Sequence, residues 1–112
     1  MPRSITWNGH MQVVVCDLDG TLVDVCAALH HVQNSPKDWD AFYTYTSTDA
    51  PAINAVAAFI RAMRLPVVVS TGRPYQFLPQ TSDWLRRYDI GPIEGIRMRD
   101  NNDRRHATDV KR

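Results

Sequence analysis

A continuous apolar run that ends in two carboxylates lies near the start of the sequence, at residues 13–21 (VVVCDLDGT). The apolar, mostly β-branched part is typical of a buried strand in a parallel sheet that is covered on both faces. If the backbone stays extended beyond it, Asp17 and Asp19 point to the same side, because side chains alternate along a strand. Two close carboxylates repel each other unless a cation lies between them or one of them is protonated. The stretch therefore predicts a strand followed by an acidic loop that binds a cation or carries a proton.

Residues 19–25 leave two interpretations open. Gly20 allows a sharp turn, and Thr21 adds a hydroxyl at the mouth of the loop. Asp19-Gly20 is also a favoured hairpin turn, in which case residues 21–25 would form a second strand. An EF-hand loop fits less well, because the third acidic position and the distal Glu are missing. This stretch alone favours neither the catalytic loop nor the hairpin.

Length and composition limit the chain to one small domain. With 112 residues, of which 44% are apolar and 22% are charged, the chain can bury a core and is not expected to be disordered. We treat residues 1–112 as a single domain, with residues 1–11 as a candidate N-terminal extension because Met11 directly precedes the buried strand. No apolar run approaches the roughly 18 residues of a membrane span, so no membrane partner is expected. Cys16 and Cys26 fit no disulfide or metal-binding spacing, which favours a reducing cytoplasm and a core position for Cys16.

The net charge of +1 is unevenly distributed. From Trp84 onward there are eight basic and five acidic residues, whereas the part before Trp84 has five basic and seven acidic residues. A basic C-terminal third is consistent with an anionic substrate, although many solvated surfaces have the same balance.

Residues 49–70 predict a helix and a second buried strand. Asp49 is a candidate N-cap, and Pro51 lies in the first turn of a helix that runs from about residue 52 to residue 64. Its apolar stripe consists of Ile53, Val56, Ala57, Ile60 and Met63. Pro66 ends the helix, and residues 67–70 (VVVS) follow as a strand parallel to the first. The strand, the helix and the second strand form a βαβ unit.

Polar residues follow both strands of this unit. Ligands bind beyond the carboxyl ends of parallel strands, so the acidic loop and residues 71–73 (TGR) are expected at one edge of the sheet. The hydroxyl and backbone amides of Thr71 and Gly72 can donate to phosphate oxygens, and Arg73 can bind a phosphate with two N–H groups. TGR alone is a weak signal. Its place beside the acidic loop makes it a candidate phosphate site.

The remaining segments continue an α/β pattern. Residues 25–32 and 82–88 are expected to be helical, residues 93–98 to form a third strand, and a last helix to begin near residue 108. Residues 38–43 (DWDAFY) are expected to form a loop that packs on the core; stacking against a nucleobase is the alternative.

The run DLDGT at residues 17–21 resembles the DxDGT signature of the haloacid dehalogenase-like phosphohydrolases. Further segments resemble a narrower group, the 3′-phosphatase domain of phage polynucleotide kinases. They are residues 38–43, 71–74 and 81–85, together with the spacing of Met98, Arg99, Asp103, Arg105 and Lys111. The resemblance covers residues 13–111. It implies a three-layer, Rossmann-like α/β core with a short parallel sheet and a minimal cap, acting in the cytoplasm of a phage's host.

The resemblance also implies roles for individual residues. Asp17 would attack phosphorus, and Asp19 would act first as general acid and then as general base. The Asp17 carboxylate and the Asp19 backbone carbonyl would hold Mg²⁺. Thr71 and Lys111 would bind the transferring phosphoryl group, since Lys111 follows the third strand as the family pattern requires and Lys37 does not. The expected substrate-binding residues are Thr21, Gly72, Arg73, Arg99 and Arg105, with solvated surface charge as the alternative for the last two.

The chain departs from the superfamily pattern after Lys111. An acidic pair that follows a fourth strand completes the Mg²⁺ shell in the superfamily, and the sequence contains neither after Lys111. Ala107 occupies a position that is often acidic in the narrower family, and no kinase P-loop is present. The expected fold therefore lacks its C-terminal strands and exposes a hydrophobic edge along the first strand. We expect this edge to be covered in a homo-oligomer or by another chain.

The sequence thus predicts a Mg²⁺-dependent phosphomonoester hydrolase that forms an aspartyl-phosphate and acts on the 3′ ends of nucleic acids. One alternative is a phosphatase of small molecules such as nucleotides. Another is a non-catalytic or partner-completed module that binds nucleotides or nucleic-acid ends. Turnover of an oligonucleotide compared with a mononucleotide separates the first two, and binding without turnover would indicate the third.

Overall fold

The described part of the chain contains one four-stranded sheet and four α-helices. A computed structural model describes residues 2–7 and 11–101. The strands, in their order across the sheet, are β1 (Arg3–Trp7), β2 (Met11–Cys16), β3 (Val67–Pro74) and β4 (Ile93–Arg99). The helices are α1 (His30–Gln33), α2 (Trp39–Thr48), α3 (Asn54–Met63) and α4 (Leu78–Arg87), with 3₁₀ turns at Cys26–Ala28 and Tyr75–Phe77.

The centre of the sheet is the parallel unit that the sequence predicts. β2 and β3 pair in parallel, with Cys16 opposite Val69, and β3 pairs in parallel with β4. Neighbouring residues of a strand point to opposite faces, and Val13 and Val14 are both buried, as are Val68 and Val69. Both faces at the centre of the sheet are therefore covered. This confirms the α/β class with a Rossmann-like core.

The N-terminal strand β1 changes one edge of the sheet. It pairs antiparallel with β2, with Arg3 opposite Val15 and Trp7 opposite Met11. The expectation of an exposed hydrophobic edge along the first parallel strand is therefore wrong. Strand β1 was not predicted because it contains no apolar run. Arg3, Ser4 and Thr6 are exposed, which is typical of an edge strand. Self-association stays a prediction, but it can no longer rest on this edge.

Helix α3 forms the crossover between the parallel strands. Ala57 and Ile60 of its predicted apolar stripe are buried, and they pack in one cluster with Val14 and Val67 of the sheet. The helix begins later than expected, after Ile53, and Asp49 instead ends the preceding helix α2. The prediction that Asp49 caps α3 is wrong, because residues 50–53 form an extended connection between the two helices.

Helix α2 occupies the segment that was expected to be a packing loop. The side chain of Asp38 accepts a hydrogen bond from the backbone N–H of Ala41 at 3.0 Å and so caps the helix. Phe42 and Tyr43 are buried in a small aromatic cluster with Phe77. The aromatic residues therefore do pack on the core, but from a helix.

The other predicted elements are found with shifted bounds. Residues 25–32 form a 3₁₀ turn and the short α1, and the helix expected at residues 82–88 extends over Leu78–Arg87. The strand expected at residues 93–98 is β4. The last helix, predicted from residue 108, lies outside the described residues. Within the described residues, no helix is long and apolar enough to cross a membrane.

The buried thiol of Cys16 gives the fold a measurable pH dependence. Burial, together with the charge of Asp17, raises the pKa of Cys16 from 9.0 to about 12. Above about pH 9 the unfolded chain ionises this thiol while the folded chain keeps it neutral, so the free energy of unfolding falls as pH rises toward 12, by at most about 1.4 kcal/mol per pH unit. Urea unfolding at several pH values measures this slope. Cys16→Ala is expected to flatten it; a slope unchanged by Cys16→Ala would contradict the assignment.

Candidate active site at the carboxyl ends of β2 and β3

The loop after β2 is a tight turn closed by its own backbone. The carbonyl of Leu18 accepts hydrogen bonds from the N–H groups of Thr21, Leu22 and Val23 at 2.9–3.0 Å. Gly20 donates to the carbonyl of Val23 at 2.9 Å and has a φ of +82°, a conformation that glycine adopts without strain. Residues 21–25 therefore fold back into a turn. The hairpin interpretation is wrong, and the compact loop is the structure that forms.

The two predicted carboxylates lie on this loop. Asp17 directly follows the last residue of β2, and the half-buried Asp19 lies two residues further. The Cys16 thiol donates to the backbone carbonyl of Asp17 at 3.0 Å, which holds the chain at the exit of the strand. Thr21, the hydroxyl expected at the mouth, is half-buried on the same turn.

Asp19 forms a two-point ion pair with Arg73 across the edge of the sheet. Nη2 of Arg73 donates to Oδ1 of Asp19 at 2.7 Å, and Nε donates to Oδ2 at 3.2 Å. The side chain of Asp19 is 18% exposed and that of Arg73 is 0% exposed. This geometry matches the planar guanidinium fork to both carboxylate oxygens, the strongest arrangement of such a pair.

The other side of the Arg73 guanidinium is also bound. Nη1 donates to the hydroxyl of Thr81 at 2.9 Å, and Nη2 donates to the backbone carbonyl of Thr46 at 3.0 Å. One buried arginine therefore connects the acidic loop to α2 and α4. Thr46 and Thr81 were not predicted as site residues: a backbone carbonyl leaves no mark in a sequence, and Thr81 appeared only within a family-like segment.

The TGR segment continues β3 and does not follow it. β3 extends to Pro74, four residues beyond the predicted end, and Thr71 and Gly72 are buried within it. The Thr71 hydroxyl accepts a hydrogen bond from the backbone N–H of Arg73 at 3.1 Å. Arg73 thus contacts the Asp loop, and its guanidinium is bound to Asp19.

The basic residues of the C-terminal third are only partly within the described chain. Arg99 is half-buried at the end of β4, opposite Pro74 in the register. Burial raises the pKa of the buried Tyr43 hydroxyl; the positive charges of Arg99 and Arg73 act to lower this pKa, and the negative charge of Asp19 acts to raise it. Tyr43 is therefore a neighbour of the site; the sequence predicted that its segment packs on the core, with stacking against a nucleobase as the alternative. Arg105 and Lys111 lie outside the described residues.

A comparison with known families identifies the family of the chain. A sequence profile described as "Polynucleotide kinase PNKP phosphatase domain" matches residues 11–112, almost the whole chain and including the acidic loop, β3 and β4. The chain belongs to this phosphatase-domain family. Its haloacid dehalogenase-like character, predicted from the DLDGT run, is confirmed.

Two solved structures contain chains with a similar fold. A chain of the "Pnkp1/Rnl/Hen1 RNA repair complex" is 24% identical, has a TM-score of 0.64 and matches over 88% of this chain and 29% of its own length. A chain from another structure of the Pnkp1/Rnl/Hen1 complex is 25% identical, with a TM-score of 0.65 and coverage of 88% and 31%. The chain thus spans less than a third of each solved chain. No curated protein matches it significantly.

The phosphatase-domain loop offers oxygen donors of the kind that Mg²⁺ prefers. The donors that the resemblance implies are the Asp17 carboxylate and the Asp19 backbone carbonyl, while both carboxylate oxygens of Asp19 accept hydrogen bonds from Arg73. Within residues 2–7 and 11–101, no group of three or more His, Cys, Asp or Glu side chains converges. These donors fit a Mg²⁺ ion that retains several water ligands.

Proposed function

We propose that the chain hydrolyses phosphomonoesters at the 3′ ends of nucleic acids, through a phosphoryl group carried on Asp17. The observation that supports it most is the compact DLDGT loop at the carboxyl end of β2, with Arg73 of β3 in contact with Asp19. In a parallel sheet this edge is where substrates bind. Membership of the phosphatase-domain family supports a role of this loop in phosphoryl transfer.

The reaction needs two roles that Asp17 and Asp19 fill. A carboxylate oxygen of Asp17 attacks phosphorus, the bond from phosphorus to the 3′ oxygen breaks, and protonated Asp19 gives its proton to that oxygen. Water then attacks the phosphorus of the aspartyl-phosphate. Asp19 takes a proton from this water as the bond between Asp17 and phosphorus breaks, which returns both residues to their first state.

Other groups assist this transfer in the proposal. Mg²⁺, held by the Asp17 carboxylate and the Asp19 carbonyl, would neutralise negative charge on the phosphoryl oxygens. Thr71 and Lys111 would contact the phosphoryl group, and Thr21 and Gly72 would line its site. Arg99 and Arg105 would attract the remaining phosphates of a polynucleotide.

The choice of a polynucleotide substrate rests on three supports. They are the family, the RNA repair complex in which a chain of similar fold occurs, and the basic C-terminal third. Because the similar chains belong to multi-protein assemblies, completion of the site by another chain or a second copy is part of the proposal. A phage origin and a place in the host cytoplasm, which the resemblance implies, remain predictions.

Substrate comparison tests the proposal. With Mg²⁺ present, we expect kcat/KM for a 3′-phosphorylated oligonucleotide to exceed that for a nucleoside 3′-monophosphate by at least about tenfold, because the longer strand adds phosphate contacts. The 5′-phosphorylated oligonucleotide is the matched control, since it carries the same backbone charge. Equal rates on the mononucleotide would indicate a small-molecule phosphatase. Binding of the oligonucleotide without turnover of any ester would indicate a binding module.

A further inference from the structure

We propose that Arg73 is a positioning residue, which aims the Asp19 carboxylate at the leaving 3′ oxygen and does not contact the substrate phosphate. This inference rests on the proposed phosphatase function and assigns to Arg73 a different role within it. The family resemblance had placed Arg73 among the substrate ligands, and the structure gives its guanidinium another set of partners.

The guanidinium of Arg73 already uses its N–H groups within the protein. Three of its nitrogens donate to four acceptors: both oxygens of Asp19, the hydroxyl of Thr81 and the carbonyl of Thr46. The side chain is 0% exposed. To bind a phosphate, the Arg73 guanidinium would have to give up these hydrogen bonds. Each buried polar group that is then left without a partner costs about 1–3 kcal/mol.

The second argument is the rigidity of the clamp. A two-point contact fixes both the position of the Asp19 carboxylate and the plane of its oxygens, which a single point charge cannot do. Thr81 on α4 and Thr46 on α2 hold the guanidinium from the opposite side, so its plane is set by two further elements. General acid catalysis requires the proton donor to lie within hydrogen-bond reach of the leaving oxygen. Arg73 uses one lone pair on each Asp19 oxygen, so the clamped carboxyl group can carry its proton on another lone pair and hold it in a fixed direction.

Arg73 also offsets the acidic surroundings of the loop. Asp17 and Asp19 are separated by one residue, and the charges of Asp19, Arg73 and Arg99 all act on the Tyr43 hydroxyl. The side chain of Asp19 is only 18% exposed, so a partner charge with hydrogen bonds to both of its oxygens lowers the cost of burying it. Arg73 is the partner that the geometry shows.

Leaving-group dependence tests the inference. Arg73→Lys keeps the charge but loses the fork, so we expect kcat/KM for a 3′-phosphorylated oligonucleotide to fall about 10²-fold, the scale of a misplaced catalytic group. For p-nitrophenyl phosphate we expect a loss below about fivefold, because nitrophenolate is a stable anion that departs without a proton. The inhibition constant of inorganic phosphate should stay within about twofold, since no phosphate contact is removed.

Two companion variants separate positioning from a general structural role. Thr81→Val removes the hydroxyl behind the guanidinium and should show the same pattern at about a tenfold loss, which Thr81→Ser largely restores. Arg86→Lys changes an exposed arginine on α4 and should leave all constants unchanged. If Arg73→Lys fails to fold by circular dichroism, Thr81→Val carries the test.

The outcomes are distinct. A phosphate inhibition constant that rises tenfold or more, with equal losses on both substrates, would overturn the inference and return Arg73 to the substrate ligands. Unchanged kinetics in both Arg73→Lys and Thr81→Val would also overturn it. Absence of turnover in the wild-type chain would overturn the proposed phosphatase function itself, and the inference with it.

Discussion

Asp17→Asn is expected to lower the release of phosphate from a 3′-phosphorylated oligonucleotide by at least about 10⁴-fold, as for the loss of other covalent nucleophiles. An amide oxygen is a poor nucleophile, and the substitution also removes the carboxylate that would hold Mg²⁺. Because Asn has nearly the same shape, the turn closed by the Leu18 carbonyl should remain intact. The measurement is phosphate release at saturating Mg²⁺, with equal melting temperatures of the two proteins as the check on folding.

A matched control comes from the same loop region. Asp24 accepts a hydrogen bond from the backbone N–H of Cys26 at 3.0 Å, which lowers the pKa of this exposed carboxyl. Asp24→Asn keeps the acceptor and should leave turnover within about twofold, because surface substitutions of this kind have small effects. Turnover retained in Asp17→Asn would refute the role of Asp17 as nucleophile.

Trp84→Ala is expected to lower the free energy of unfolding by about 4–5 kcal/mol. The side chain is 0% exposed in the main core cluster, and truncation of a buried aromatic residue costs about 3–5 kcal/mol. Its Nε1 also donates to the Ala50 carbonyl at 2.7 Å, and losing this buried bond adds about 1 kcal/mol. Domains of this size are stable by about 5–15 kcal/mol, so the variant should be partly unfolded at 37 °C.

Two further variants separate the contributions of packing, hydrogen bonding and burial to the stability loss of Trp84→Ala. Trp84→Phe keeps most of the packing and loses the hydrogen bond, so it should cost distinctly less than Trp84→Ala. Phe59→Ala truncates an aromatic residue that is 46% exposed on α3 and should cost below about 1 kcal/mol. Equal midpoints of urea unfolding for Trp84→Ala and Phe59→Ala would contradict a large contribution of the buried Trp84 side chain to stability.

The parallel core was predictable because continuous stretches of the sequence carry its apolar patterns. Apolar β-branched runs at Val13–Val15 and Val67–Val69 mark strands that are buried on both faces, and the apolar stripe of α3 has a clear helical period. The edge strand β1 has no such mark, since Arg3, Ser4 and Thr6 are exposed and the strand is identified only by its pairing with β2. Helix α2 was missed because its aromatic cluster suited a packed loop as well as a helix.

Candidate site residues could be predicted from the sequence, but the contacts between them could not. Asp17 and Asp19 follow a buried strand within one motif, which sequence can show. The Asp19–Arg73 pair joins residues 54 positions apart, and whether an arginine faces a substrate or a carboxylate depends on tertiary packing. The anchors of Arg73 on α2 and α4 depend on the same packing.

Trapping the phosphoryl group on the protein tests the role of Asp17 most directly. Asp19→Asn is mixed with p-nitrophenyl phosphate labelled at phosphorus, quenched in acid and digested. The leaving group departs without a proton while hydrolysis of the intermediate lacks its base, so we expect label to accumulate on Asp17. No label should appear in the Asp17→Asn, Asp19→Asn double variant. A wild-type chain that turns over substrate while Asp17 never carries label would contradict an aspartyl-phosphate mechanism.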